Sequence, residues 1–285
     1  MIVDCHVNLW NAEHFTPLYA EQMRRVRADG GYGLKADADT IHAEMAAVDK
    51  AIVFSPRYLD SAGVDGDDAA VAAAVAKYPD KFVGFAYVEP RQPDYMERLR
   101  HSVHTLGLKG VKYGPIYNGV ALSDPRMAPV YDFCVANDLP LTMHMGTTFA
   151  DNAPVDLGRA IHVDAVAAQW PELKMICAHM GHPWYDDCIA VVRKRANVYC
   201  EIAAIFYRPW QFWNIMVACQ EYSITDKMFF GTDFPFSRVA ASLDGLRNVN
   251  RVVEGTGLPR VGDEVIERII HSNPFEHWWH QPPAF

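Results

Sequence analysis

Short, almost wholly apolar runs recur along this chain, most of them bounded by Pro, Gly, Asp or Asn. They fall at residues 2–7, 51–54, 82–88, 110–113, 139–145, 173–179, 198–202 and 228–231, and their β-branched and aromatic content predicts strands. Between them lie segments of helical character at 40–49, 67–78, 95–106, 125–137, 158–170 and 184–196, and a last helix is expected over 263–271. Asp124 and Pro125 supply an N-cap and a first-turn proline, while Pro129 should delay the regular helix behind them. Strands alternating with helices imply a parallel sheet, and strands that are apolar throughout imply burial on both faces. Eight such units suit closure, so the expected fold is of the α/β class, a (β/α)8 TIM barrel running over 1–285 as a single domain. No GxGxxG turn follows the first strand, which argues against an open dinucleotide-binding sheet.

Two segments do not fit the repeating unit. Residues 9–35 are too long for an ordinary loop and carry Trp10, Phe15 and Tyr19 ahead of a helix-like run through Arg27. They are expected to form a lid over the barrel mouth or a packing excursion. The aromatic tail, with Phe275, Trp278, Trp279 and Phe285, is expected to pack against the barrel or a partner subunit.

Composition narrows the function. With 285 residues and 50% hydrophobic content the chain can bury a large core. Lys+Arg 26 against Asp+Glu 35 gives a formal charge of -9 without a basic run, so neither nucleic acid nor an anionic membrane is an expected partner. A small-molecule substrate fits this balance, and assembly into a homo-oligomer is left open. The N-terminus lacks a basic region and a small-residue cleavage site, and no apolar stretch approaches the roughly 18 residues of a membrane span, so a cytoplasmic location is expected. The 6 cysteines are scattered through apolar segments without CxxC spacing and should be buried, reduced thiols.

Chemistry enters at the strand ends. Asp4, His6 and Asn8 alternate along the first strand and share one face. His144 and His179 end two later runs, and Asp233 follows the last. A parallel barrel gathers its strand C-termini on one rim, where catalytic groups belong. Imidazoles with a carboxylate suit a divalent ion, so His6, His144 and Asp233 are expected metal ligands, with Zn²⁺ the first choice and Mn²⁺ or Fe²⁺ the alternatives. In Gly-Leu-Lys-Gly-Val-Lys-Tyr, Lys112 lies nearer the strand end and is the expected substrate contact, whereas Lys109 reads as structural. Just past strand ends come Arg57, Tyr117, His182, Trp184, Tyr207, Arg208 and Arg238, and Trp10 lies just past the first. Of these, Arg57, Arg208, Tyr207 and Trp10 are expected substrate contacts, an arginine there being able to clamp a carboxylate.

The segments DCHVN, GLKGVKYGP, TMHMG, AHMGHPW and FFGTDFPF, in this order over nearly the whole chain, resemble the amidohydrolase superfamily. Within it they are similar to the amidohydrolase-related group of metal-dependent decarboxylases of the aminocarboxymuconate-semialdehyde type and lactone hydrolases. The resemblance implies that His6 is the first histidine of the family's HxH pair, His144 the fifth-strand ligand, His179 the sixth-strand histidine and Asp233 the eighth-strand aspartate. It also implies a single ion. Asn8 stands where the second histidine would be, so the ion takes its carboxamide oxygen or is held by fewer groups.

The leading expectation is hydrolysis of a small, cyclic, carboxylated substrate such as a lactone. The metal would polarise the carbonyl, Asp233 would take a proton from the attacking water, and His179 would steady the oxyanion. The alternative is non-oxidative decarboxylation of a hydroxyaromatic or unsaturated acid, with Asp233 or His179 protonating the carbon that loses CO2. A catalytically silent binding barrel is the third expectation.

Overall fold

Each apolar run becomes a parallel strand with a backbone partner on either side. The structure, a computed structural model, describes residues 1–26 and 35–283. In chain order the barrel strands are Val3–Asn8, Lys50–Phe54, Phe82–Gly84 continued by Ala86–Tyr87, Val111–Tyr113, Leu141–His144, Met175–Ala178, Val198–Glu201 and Met228–Phe229. The two pieces of the third strand divide the ladder into a group of three strands and a group of six. The break is local, because Phe85 N donates to Val53 O at 2.9 Å while Ala86 N donates to Gly110 O at 2.9 Å. Closure runs through the first and last strands: Cys5 N donates to Phe230 O at 3.0 Å, Asn8 N to Phe234 O at 2.9 Å, and Asp233 N to His6 O at 2.9 Å. The chain is therefore a TIM barrel, as its pattern predicts.

Helices follow the local signals. Asp37 caps Ala38–Glu44 by accepting from Thr40 N at 2.8 Å, and Asp67 caps Asp68–Lys77 by accepting from Ala69 N at 3.0 Å. After the Asp124 cap the chain makes only a 3-10 turn, Pro125–Met127, and the regular helix Ala128–Ala136 starts with Pro129 in its first turn. The helical stretch expected over 158–170 is instead two 3-10 turns and a shorter helix, Val163–Gln169, because Gly158 and its neighbours fold against Gly146.

The barrel has a plug at the end away from the site. Phe275, Trp278 and Trp279 pack with Val3, Cys5, Ile52, Val83, Phe85, Ile176 and Phe229. Trp279 Nε1 donates to the Lys109 carbonyl at 3.0 Å, so the backbone at Lys109 is part of this plug. Burying each such aromatic contributes about 1.5–3 kcal/mol. The tail thus packs on its own barrel, and Phe285 lies outside the described residues. All 6 cysteines are free and buried. Among the described residues no helix is long and apolar enough to cross a membrane.

The segment expected to form a lid contains a helix, Pro17–Val26, whose Met23 lines the cleft at the barrel mouth. The expected run through Arg27, and the rest of the segment up to 34, lie outside the described residues.

Candidate metal centre

The C-terminal strand ends converge on a cleft of about 740 Å³ that opens to solvent and leads into a deeper chamber of about 360 Å³. His6, Asn8 and Lys112 line the chamber, while Tyr117, His144, Phe149, His179, Asp233 and Phe236 line both parts.

Within that space, His6, His179 and Asp233 place one ligand atom each within 4.8 Å of one another. The ladder between the first two strands shifts register between Asp4 and Val7, and the Asp4 carboxylate caps the irregularity by accepting from His6 N at 3.1 Å and Thr232 N at 2.9 Å. His179 and Asp233 lie just beyond their strands, and both adopt left-handed backbone, φ 56° and 60°. Such conformations cost about 1–3 kcal/mol in non-glycine residues and concentrate where function requires a fixed direction. His179 is therefore not the end of a strand, as the sequence suggests, but the start of a tight turn, His179–Gly181.

Second contacts decide which nitrogen faces the centre. His6 Nδ1 donates to Glu201 Oε1 at 2.8 Å, leaving Nε2 with its lone pair toward the chamber. His179 Nδ1 donates to Ala203 O at 3.0 Å, with the same result. Glu201 also accepts from the backbone His179 N at 3.0 Å, so one buried carboxylate orients the His6 imidazole and anchors the turn that carries His179. Sequence reasoning missed Glu201; it ends an apolar strand just as the histidines do. Gly231 makes room for it, since a Cβ there would stand 3.0 Å from Glu201 Oε2 and 3.2 Å from His6 Cβ.

This donor set suits a divalent cation. His6 Nε2 and Asp233 Oδ1 face each other at 3.2 Å, the spacing of two ligands on one ion with bonds of about 2.1 Å. Burial drives the pKa of His6 and His179 well down, helped for His6 by Lys112 and for His179 by His6, so both are neutral imidazoles, the form that can ligate a metal. Burial pushes Asp233 up, against the opposing Asn8 hydrogen bond and Lys112.

The other expected residues take varied places. Asn8 turns its amide nitrogen inward, donating to Asp233 Oδ1 at 2.8 Å and to Phe234 O at 3.0 Å, so it orients the carboxylate. His144 stands beside His179 with ring centroids 4.8 Å apart, but its Nε2 bonds Thr147 O at 2.9 Å and it is not part of the tight trio. Lys112 is buried at the floor, its Nζ 3.4 Å from His6 Nε2 and 4.7 Å from the Phe54 ring centroid. Burial lowers its pKa to about 8 despite Glu201 and Asp233. Tyr207 and Arg208 reach the cleft mouth. Arg57 is engaged by Asp65 at 2.9 Å across the ribbon Arg57–Tyr58 and Val64–Asp65, and is not among the residues lining the cleft. Trp10 is wholly buried against Phe15, Tyr19 and Phe236, behind the wall. Tyr58 stacks on Tyr117 at 4.4 Å to form an aromatic side of the chamber.

The sequence profile of the amidohydrolase family matches residues 3–278. The chain belongs to that family. This amidohydrolase is also similar in fold to solved structures. An uncharacterised TIM-barrel protein from Bordetella bronchiseptica superposes with a TM-score of 0.73 at 21% identity, covering 96% of each chain. A probable 2-pyrone-4,6-dicarboxylic acid hydrolase from Acinetobacter baumannii, with citric acid bound, gives 0.67 at 14% identity, over 97% of this chain and 98% of that one. A 5-carboxyvanillate decarboxylase from Novosphingobium aromaticivorans, complexed with manganese and 4-hydroxy-3-methoxy-5-nitrobenzoic acid, gives 0.67 at 16%, over 98% and 96%. By its family the chain is an enzyme, an amidohydrolase, and the solved structures it resembles in fold include a probable hydrolase and a manganese-bound decarboxylase.

Proposed function

We propose that this amidohydrolase holds one divalent ion on His6, His179 and Asp233 and removes CO2 from a small, planar hydroxyaromatic or unsaturated acid. The observation that carries the reading is the Lys112 ammonium, buried 3.4 Å from His6 Nε2. The ammonium and an ion beside it put positive charge at the inner end of the chamber, where an entering carboxylate can pair with it. The bound ion, Mn²⁺ or Zn²⁺, would supply electrophilic stabilisation of the substrate oxygens next to the bond that breaks.

The protein's own groups do the rest. Lys112 draws the carboxylate to the floor. Tyr58, Tyr117, Phe149 and Phe236 receive a flat ring and exclude water around it. Asp233, oriented by Asn8 and facing the chamber, is the group placed to relay a proton to the carbon that loses CO2. Tyr207 and Arg208 contact the substrate at the mouth.

Lactone hydrolysis is the second reading, and the placement of Asp233 beside His6 Nε2 favours it, because a carboxylate there can also accept a proton from water. Hydroxybenzoates and pyrone lactones offered to manganese-loaded enzyme separate the two. CO2 release from a hydroxybenzoate is expected, whereas ring opening of a lactone without CO2 would replace this reading with the second.

A further inference from the structure

The aromatic wall of the chamber is built from three separate stretches of chain. Tyr58 follows the second barrel strand, Tyr87 ends the third, and Tyr117 sits on a short helix, Pro115–Asn118, after the fourth. All three rings line the chamber. Tyr58 stacks on Tyr117 with ring centroids 4.4 Å apart and meets Tyr87 edge-on at 6.3 Å. Ring contacts of this kind contribute modestly and tolerate several geometries, so they alone do not fix the distance between the loops.

One residue behind the wall ties the three stretches together. Asn118 is wholly buried and lines neither the cleft nor the chamber. Its Nδ2 donates to the Arg57 carbonyl at 3.0 Å and to Glu89 Oε2, and its Oδ1 accepts from the Tyr87 hydroxyl at 3.0 Å. The Arg57 carbonyl can only accept, which sets the amide nitrogen toward it and leaves the oxygen for the tyrosine. Gly114 leaves room for that hydroxyl, since a Cβ there would stand 2.7 Å from it. Arg57 precedes Tyr58, Glu89 lies just beyond Tyr87, and Asn118 follows Tyr117, so the bonds act next to every ring of the wall. A buried amide with both hydrogens and its oxygen satisfied is rigid, and removing it strands its partners away from water.

We infer that Asn118 is a positioning residue: through one side-chain amide it locks three successive loops and fixes the width of the aromatic slot, which selects flat rings over puckered ones. The inference rests on the reading of the chamber as a site for a planar acid. Asn118 acts through Tyr58, Tyr87 and Tyr117 and touches no substrate itself.

Calorimetric titration of the manganese-loaded enzyme with benzoate, cyclohexanecarboxylate and acetate tests it, in the natural chain, Asn118→Leu and Tyr87→Phe. The two ring acids share a charge and a ring size and differ in flatness, while acetate reaches the floor without filling the slot. The natural chain should bind benzoate roughly tenfold more tightly than cyclohexanecarboxylate, the scale of good ring stacking. Asn118→Leu is close in size and deletes all three bonds, so its ratio should approach one, with acetate affinity and manganese content unchanged. Tyr87→Phe deletes one bond of the three and should give an intermediate ratio, which carries the test even if Asn118→Leu does not fold. The natural ratio retained in either folded variant would overturn the inference. So would a parallel loss of acetate and benzoate affinity, which marks general loosening and not a change of slot. Equal affinity for the two ring acids in the natural chain would overturn it too, while leaving the carboxylate floor intact. If none of the three acids binds, the floor reading fails and the inference falls with it.

Discussion

Glu201 accepts a hydrogen bond from His6 Nδ1 at 2.8 Å, with both side chains shut off from bulk water. The same carboxylate accepts from the backbone nitrogen of His179, so it aims the His6 lone pair and fixes the backbone from which His179 projects. Glu201→Gln keeps the shape but puts an NH2 group among donors. Outer partners of this kind are worth about 10–100-fold in metal affinity. Competition with a chelator should show a loss in that range, and an unchanged affinity would remove Glu201 from the account.

The two histidines His144 and His179 should part company. His179 aims a free nitrogen at the centre, while His144 spends Nε2 on the Thr147 carbonyl. His179→Ala should therefore lose most of its metal in elemental analysis, and His144→Ala should retain most of it. The reverse order would make His144 the ligand, as the strand-end pattern alone suggests.

Removing the Lys112 charge tests the carboxylate site. Lys112→Met keeps much of the buried stem that passes Phe54 and deletes the ammonium. Affinity for carboxylate ligands should fall about tenfold or more, the scale of one charge-assisted contact in a desolvated site. Metal content should hold or rise. Unchanged carboxylate affinity would contradict the assignment.

Stability should carry a signature from a carboxyl group away from the site. Asp68 is half-buried, and desolvation raises its pKa to about 6 despite hydrogen bonds from Ser102 and Tyr87 N. A carboxyl whose folded pKa is raised binds more protons folded than unfolded, so its contribution to stability is lost as pH climbs from about 4 to 6. Denaturant titrations should show Asp68→Asn gaining on the natural chain by about 3 kcal/mol between pH 4 and pH 7. A constant difference over that range would show that Asp68 titrates normally.

Much of this arrangement is legible in the sequence because strands announce themselves through apolar runs and a barrel gathers their ends. His6, His144, His179 and Asp233 could be named on that ground, and Lys112 could be separated from Lys109. What could not be read depends on contacts between distant backbones. Whether His144 or His179 aims at the centre turns on carbonyls of Thr147 and Ala203, and on a left-handed turn at His179 that residue type does not signal. The orienting role of Asn8 depends on Asp233, far along the chain. Arg57 looks like a clamp in one dimension and is found tied to Asp65 in three.

The central claim is that His6, His179 and Asp233 hold one divalent ion, and equilibrium metal analysis tests it most directly. After incubation with Mn²⁺ and removal of excess, the natural chain should carry one ion per chain and Asp233→Ala close to none. Turnover with no bound metal, surviving a strong chelator, would contradict the account.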